Sequence, residues 1–311
     1  MIDMTAILNT FKGMTKRNIR VYRKDKMTIF FSLLTQIIIL GLYLLFLRGN
    51  YVDGIKSGMG EFANLLSDED INSLVNSWLV CGVIGTSVIT VALQSIAIIV
   101  NDRYHKISND YLASPVEGHT VILSYFTSTI IISFVMSGIL LTAGFIFIVM
   151  DSDITFSVGQ IASMYGITAL GTISATTLLM FVISFIKKTS TFSSFGLMLS
   201  TGIGFIIGAY IPVARFSQSV QTVVNLVPGS QVAGIMRNIL MQPAIDNVKS
   251  KLSAEGAKMF MDGTKDMFGT YLNIFGKEVG FEFMIVYSVC AIVLFLAANL
   301  VFYKISSKNK E

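Results

Sequence analysis

The amino-acid sequence predicts an all-α, polytopic membrane protein with six transmembrane helices. Of its 311 residues, 53% are hydrophobic and only 14% are charged, whereas about 25% of the residues in ordinary soluble domains are charged. Several apolar runs reach the roughly 20 residues that a helix needs to cross the hydrocarbon core of a bilayer. Both cysteines lie inside such runs, where a thiol packs as a small hydrophobic side chain.

The first 27 residues are basic and amphipathic. Their lysines and arginines fall largely away from one helical face, which consists of Ile7, Leu8, Phe11, Met14, Asn18, Val21 and Tyr22. A helix of this kind is expected to lie on an anionic membrane surface, with membrane lipid as its partner. The alternative is a solvated basic N-terminus that only sets the orientation of the chain.

Six apolar runs are the predicted spans. They cover residues 28–47, 77–100, 121–150, 159–186, 192–211 and 283–303. The stretch 48–75 between the first two spans is predicted to be an acidic loop. The whole chain is predicted to be one transmembrane domain, divided into residues 1–27 (interfacial helix), 28–211 (spans one to five), 212–282 (outer segment) and 283–311 (last span and tail).

The outer segment, residues 212–282, contains no credible full crossing. Its first part, Gln218–Met241, is apolar enough to dip into the outer leaflet as short helices that break at Pro228-Gly229. Arg237 is expected near the membrane surface. The rest is more polar with nearly balanced charge, which indicates a small folded cap that either gates an exit or covers the ends of the spans.

The distribution of charge orients the six spans. The N-terminus, the loop 101–120, Lys187-Lys188 and the C-terminal tail carry a net charge of +8, and the opposite side carries −4, which together give the total of +4. Because basic segments stay in the cytoplasm, both termini and the loop 101–120 are predicted to be cytoplasmic in a multi-pass protein of the cell membrane.

The loop Asn101–Thr120 is a polar island between two apolar runs, and both histidines of the protein lie in it. We predict a short helix over Asp102–Leu112 that ends at Ser114-Pro115, since proline lacks an N–H and restricts the residue before it. This is the largest cytoplasmic surface between spans through which a soluble partner could act. The alternative is a solvated loop whose charges only set the topology.

The cores of the predicted spans contain no Asp, Glu, Lys, Arg or His. An ion-coupled transporter usually needs an ionisable relay there, and a membrane hydrolase needs an activated nucleophile. The phosphate-binding pattern GxxxxGK[ST] is also missing from the sequence. We therefore predict no catalytic residues, metal site or cofactor in this chain, and no enzyme activity of its own. Nucleic-acid binding is not supported, because the membrane surface explains the basic N-terminus.

Two stretches carry a family resemblance. Asp102-Arg103, Leu112 and Ser114-Pro115-Val116 follow the second span, and Pro212, Asn225 and Pro228 follow the fifth. With the amphipathic N-terminus and six spans, this layout resembles the membrane subunit of type-2 ABC exporters, which serve drugs, peptides, lipids and polysaccharides. The match is partial, since the family's Gly-Thr is absent near Lys106-Ile107, and its adjacent Asn-Pro is here separated by two residues.

The resemblance implies a permease that pairs with a second permease, expected to be identical, and rests on a cytoplasmic ABC ATPase that binds ATP and Mg. The loop helix would then be the coupling helix. Charged residues would make rim contacts with the ATPase, namely Asp102, Arg103, Lys106 and Asp110. Apolar and aromatic residues would be buried anchors, namely Tyr104, Ile107, Tyr111 and Leu112.

Three glycines in the fifth span, Gly202, Gly204 and Gly208, include a GxxxG spacing that lets helix backbones approach closely. By the resemblance they would line a dimer contact or the translocation path. The alternative is packing within one subunit.

The leading prediction is an exporter of an amphiphilic or hydrophobic substrate, such as a drug, an antimicrobial peptide or a lipid-like molecule, because the spans offer Phe, Met, Ser, Thr and Gln but no fixed charge. One alternative is a polysaccharide exporter, which the single tryptophan disfavours. The other is a non-transporting membrane scaffold or sensor whose loop binds a signalling protein. Binding of a soluble ATPase to residues 101–120 would distinguish the exporter from the scaffold.

Overall fold

A computed structural model describes residues 4–114, 116–152 and 154–308. These residues form an all-α fold with one small β-hairpin. The helices are α1 (Met4–Lys24), α2 (Lys26–Leu42), α3 (Arg48–Met59), α4 (Asp68–Tyr104), α5 (Ile107–Ala113), α6 (Gly118–Asp151), α7 (Val158–Ser184), α8 (Thr189–Ile206), α9 (Gln218–Asn225), α10 (Pro228–Leu240), α11 (Gln242–Lys251), α12 (Ala254–Phe268) and α13 (Phe281–Lys308). The antiparallel hairpin consists of β1 (Leu272–Ile274) and β2 (Lys277–Val279).

Four of these helices are long and apolar enough to cross a membrane, namely α4, α6, α7 and α13. The pair formed by α1 and α2 provides a fifth candidate span, although the two helices meet at a bend of 73°. The prediction of a polytopic helical membrane protein is therefore confirmed.

The central helix is α4, which packs against α2, α6, α7, α8 and α10. Its 37 residues make it about 55 Å long, so it extends beyond the predicted span 77–100 at both ends. At its start, the Ser67 hydroxyl accepts a hydrogen bond from the Asp70 N–H, and the Asp70 carboxylate accepts one from the Ser67 N–H. This capping box stabilises a helix start nine residues before the predicted one, Ser77.

The predicted loop 48–75 is wrong. After α2, a π-helical turn at Tyr43–Leu47 leads directly into α3, and a 3₁₀ helix at Gly60–Leu65 follows. The polar stretch is helical because one side of it packs on the core. Ile55 is buried, and the rings of Tyr51 and Trp78 lie 4.9 Å apart.

The sharp bend between α1 and α2 has a defined hydrogen-bonding pattern. Asp25 caps α2 by accepting hydrogen bonds from the Thr28 N–H at 2.9 Å and from the Thr28 hydroxyl at 2.7 Å. These bonds hold the pKa of Asp25 below its ordinary value. The Tyr22 hydroxyl also donates to Ser32 Oγ across the bend. The predicted N-terminal helix thus exists, and it packs largely against α6.

The segment 212–282, which we call the cap, folds into a 3₁₀ turn, the short helices α9 to α12 and the hairpin. Asp70, at the start of α4, accepts hydrogen bonds from Lys251 Nζ at 2.6 Å and from Asn247 Nδ2 at 2.8 Å. The cap is therefore attached to the first turn of α4, whereas α5 follows its last turn. Because α4 is about 55 Å long, this attachment point and α5 lie at opposite ends of the molecule.

Helix α10 packs into the bundle against α4, α7 and α13, and this packing buries the Arg237 side chain inside the protein, whereas its depth near the membrane surface stays a prediction. Arg237 is 2% exposed. Its Nη2 donates to the carbonyl oxygens of Ile207 at 2.7 Å and Gly208 at 3.1 Å. Those carbonyls end α8, where unpaired oxygens and the helix dipole favour a cation.

Candidate functional site

The predicted helix over Asp102–Leu112 is in fact two helices joined by a turn. Helix α4 continues to Tyr104, and the His105 N–H still bonds to the Asn101 carbonyl at 2.9 Å. Lys106 then adopts a left-handed conformation with φ of 60°, which no α-helix can contain, and α5 begins at Ile107. The prediction is wrong in its boundary because α4 does not end where its apolar residues end.

Asp102 is not a rim residue. It is 4% exposed and lies between three helices. Its carboxylate accepts hydrogen bonds from both terminal nitrogens of Arg17 on α1, at 2.5 and 2.8 Å, and from the Tyr125 hydroxyl of α6 at 2.5 Å. The Asp102 side chain therefore ties α1, α4 and α6 together and is closed to a partner protein.

Arg17 and Tyr125 were not predicted as members of this cluster. One signal was available: Asp102 follows Ser95 by seven positions and Ile99 by three, and both of these are buried on α4. A carboxylate at that helical phase faces the interior and requires a cationic or hydrogen-bonding partner.

Four of the predicted coupling residues are exposed: Arg103, Tyr104, Lys106 and Asp110. Tyr104 is 66% exposed and makes an edge-to-face contact with His105, with ring centroids 5.1 Å apart. Tyr104 belongs to the last turn of α4 and not to the loop helix. This group forms a mixed surface of two cations, one anion and one aromatic ring.

Helix α5 itself is half-buried. Ile107 and Tyr111 each have one part of the side chain against the bundle and another part accessible, and α5 contacts both α4 and α6. The side chain of Leu112, the remaining predicted anchor, lies outside the described part of the structure. Helix α5 is therefore seated on the ends of two long helices, and a force on it reaches both.

The end of α5 has the expected position. Ser114 has extended backbone, and its N–H and hydroxyl both donate to the Tyr111 carbonyl, at 3.3 and 2.8 Å. Pro115, the predicted stop, lies outside the described residues. Helix α6 begins at Gly118. The side chains of Glu117 and His119, on either side of Gly118, lie 3.0 Å apart. Among the described residues, no three His, Cys, Asp or Glu side chains are grouped to hold a metal ion.

The three glycines of the fifth span differ from one another. A Cβ at Gly204 would overlap the Tyr210 ring of the same chain. Gly208 has φ of +70° and ends α8, next to Val213 and Arg237. At Gly202 an added Cβ would meet no atom within 4 Å. Packing within one subunit thus accounts for Gly204 and Gly208, and only Gly202 leaves open space at the surface of α8.

A second polar tie lies at the cap end. Asp151, the last residue of α6, accepts hydrogen bonds from Arg48 Nη2 at 2.9 Å and Asn76 Nδ2 at 2.6 Å. The Tyr43 hydroxyl donates to Asn76 Oδ1 at 2.9 Å. This network joins the α2–α3 junction, α4 and α6. The α4–α6 pair is therefore connected by charged groups near each of its ends.

Comparison with known families agrees with this architecture. The family model described as ABC-2 type transporter matches residues 9–241. The matched range begins within α1, includes α4, α5 and α6, and ends immediately after α10. Helices α11, α12 and α13 and the hairpin lie beyond it. No curated protein matches the chain.

Proposed function

Since this chain belongs to the ABC-2 type transporter family, we propose that it is the permease subunit of an ATP-driven exporter and that α5 is the element that receives work from a separate cytoplasmic ATPase. The observation that supports the proposal most directly is the position of α5. It rests on the ends of α4 and α6, immediately after the ion pair that ties those helices to α1. The ATPase would bind ATP and Mg.

The proposed docking surface combines anchors and charges. Ile107 and Tyr111 offer apolar area from α5, and Tyr104 adds an exposed ring from α4. Aromatic side chains dominate the binding energy of many interfaces. Arg103, Lys106 and Asp110 surround them and would set the register of the complex. Asp102 has a different role, since its buried carboxylate holds together α1, α4 and α6, and α5 rests on the ends of α4 and α6.

Six membrane crossings are proposed. Helix α2 and its π-helical turn cover residues 26–47 and reach about 33 Å, and the 18 residues of α8 reach about 27 Å. Both lengths are close to the roughly 30 Å hydrocarbon core. Six crossings put both termini on one side, and the excess of basic residues assigns that side to the cytoplasm. The cap is then outside the cell.

We further propose that two copies of the chain enclose the translocation path. Helices α2 and α8 lie beside α4 and leave large apolar side chains uncovered, among them Phe31 on α2 and Leu197, Met198 and Phe205 on α8. Apart from Lys26 at the start of α2, neither of these helices exposes a charged residue. A path lined by such faces suits an amphiphilic or hydrophobic substrate, such as a drug, an antimicrobial peptide or a lipid-like molecule.

The test is co-purification with the ATPase subunit. The double variant Ile107→Asp/Tyr111→Ala should insert into the membrane normally but lose the ATPase on affinity purification. Phe275→Ala is the matched control, because it removes an exposed aromatic ring from the hairpin at the opposite end. Retention of the ATPase and of transport by the double variant would overturn the assignment of α5. A partner that binds α5 but does not hydrolyse ATP would favour the scaffold or sensor.

A further inference from the structure

The cap contains a cleft that the proposed coupling mechanism does not use. It is a small cleft with a cavity volume of about 30 Å³, open on one side, and it lies between the 3₁₀ turn Val213–Arg215, α9 and the hairpin. Its lining includes Val213, Ala214, Gln221, Asn225, Asn273 and Glu278. Polar and apolar groups thus share one small space at the end of the molecule opposite α5.

The floor of the cleft presents hydrogen-bond acceptors. Asn225 is 1% exposed, and its Nδ2 donates to the Asn273 carbonyl at 2.9 Å. Because a carbonyl oxygen can only accept, the Asn225 atom that contacts it must be the amide nitrogen. The other end of the Asn225 amide is therefore the acceptor oxygen, Oδ1. Oδ1 of Asn225 and Oδ1 of Asn273 are both buried and have no hydrogen-bond partner within the described part of the chain.

One potential donor in the cleft, the Gln221 amide, is already engaged. Gln221 Nε2 donates to the carbonyl oxygens of Ala214 at 3.2 Å and Phe216 at 2.8 Å. The Asn225 backbone is also held in place, since its carbonyl accepts from Gln231 Nε2 at 2.5 Å. The amides of Gln221 and Asn225 are therefore fixed in place, and a buried acceptor without a partner favours a ligand that can donate a hydrogen bond to it.

The hairpin adds a negative charge. Asn273 and Glu278 are directly paired across the two strands, so their side chains project from the same face. The neighbouring Leu272 and Ile274 are buried and face the other way. No ion pair involves Glu278 in the residues that the structure describes. The cleft thus combines two amide oxygens and one carboxylate with apolar walls.

We propose that this cleft binds a primary ammonium group carried on an alkyl chain. The three N–H donors of such a group match the three acceptors, and its charge matches Glu278. The alkyl chain would lie against Val213 and Ala214, which line the cleft from the 3₁₀ turn. A lysine side chain of an exported peptide and the aminoethyl headgroup of a phospholipid have this chemistry in common. The inference rests on the proposed function only in placing the cleft outside the cell.

The probe is Nα-acetyl-lysine amide, titrated into the full chain in nanodiscs of phosphatidylcholine and phosphatidylglycerol and followed by saturation-transfer NMR. We expect saturable binding with the strongest effect on the ε-methylene protons. The Nε-trimethyl analogue keeps the charge but lacks N–H donors, and it should bind at least tenfold more weakly. Glu278→Gln should lose at least tenfold in affinity, whereas Glu282→Gln, which removes a nearby charge outside the cleft, should bind like wild type.

The absence of saturable binding, or equal binding of the trimethyl analogue or by Glu278→Gln, would overturn the proposal and leave water as the occupant. Nanodiscs with phosphatidylethanolamine distinguish the two sources. Competition with the probe assigns the cleft to the lipid headgroup, and unchanged binding assigns it to a soluble amine such as cargo. The ATPase takes no part in these measurements, so their failure would leave the coupling proposal intact, and loss of ATPase binding would not affect them.

Discussion

The Arg17 guanidinium and the Asp102 carboxylate form a two-point ion pair, with nitrogen–oxygen distances of 2.5 and 2.8 Å. The pair lies within one helical turn of Lys106, where the chain turns into α5. It joins the N-terminal helix to the point at which work is proposed to enter the bundle. A displacement of α5 should therefore move α1, α4 and α6 together.

We expect Asp102→Asn to weaken this connection. The substitution keeps the shape of the side chain but removes the charge that Arg17 and Tyr125 contact, and hydrogen bonds to charged groups contribute about 1.5–3 kcal/mol. Since Arg17 is partly exposed, a loss of about 2 kcal/mol is expected. The variant should melt at a lower temperature and export less substrate per ATP hydrolysed. Asp53→Asn, an exposed carboxylate on α3, is the control, and identical behaviour of the two variants would contradict the role of the pair.

Arg237 should be required for stability at the cap end. Arg237→Met removes the donor to the Ile207 and Gly208 carbonyls, and leaving buried acceptors unpaired should cost about 2–3 kcal/mol. Arg237→Lys keeps the charge but loses the planar fork and its contact with Trp78, so its cost should be intermediate. Arg215→Met is the control, because Arg215 is exposed. Thermal unfolding of the wild-type protein and of these three variants measures the differences in stability. An Arg237→Met protein as stable as the control would remove the capping role.

Apolar runs were sufficient to locate the long helices, but not their ends. The second span was predicted to begin at Ser77, whereas α4 begins at Asp68 because the Ser67–Asp70 capping box and the Asp70–Lys251 contact extend it. The polar stretch 48–75 was predicted to be a loop, yet α3 is helical because Tyr51 and Ile55 face the core. Hydropathy identifies the residues that can cross the bilayer, whereas contacts with the cap determine where these helices end.

The polar contacts were even less predictable. Arg17 and Asp102 are separated by 85 residues, and only the packing of α1 on α6 brings them together. Arg237 was predicted near the membrane surface in an apolar stretch, and its contacts with the end of α8 depend on the packing of α10 beside that end. The predicted helix Asp102–Leu112 includes all of α5 except its last residue, Ala113, but whether each side chain faces inward or outward depended on where α4 ends.

The proposed topology makes a labelling prediction. Ala113, on α5, and Phe275, at the hairpin turn, are both exposed and lie at opposite ends of the molecule. In a chain with Cys81→Ala and Cys290→Ser, a membrane-impermeant maleimide should label Phe275→Cys on intact cells. It should label Ala113→Cys only after the membrane is opened. Labelling of both from outside, or the reverse pattern, would rule out a cytoplasmic α5.

The glycines of α8 provide a matched pair for stability. Gly204→Ala would place a methyl group in the Tyr210 ring, and such overpacking typically costs about 1–3 kcal/mol. Gly202→Ala meets no atom within 4 Å, so the higher helix propensity of alanine should leave the isolated chain as stable or more stable by up to about 1 kcal/mol. Thermal unfolding of the monomeric chain in detergent separates the two. Equal destabilisation would mean that Gly202 is packed in a way that the single chain does not explain.

The open space at Gly202 also tests where two copies of the chain meet. If α8 faces a second copy across a close helix contact, a large side chain at Gly202 should separate the two backbones. Gly202→Leu should then form at least tenfold fewer dimers than wild type in nanodiscs, counted by single-molecule photobleaching, while each chain retains its melting temperature. Val293→Phe on α13 is the control, because it enlarges an exposed apolar side chain on a different helix. Full dimerisation of Gly202→Leu would move the contact away from this part of α8 and leave Gly202 facing lipid or the path.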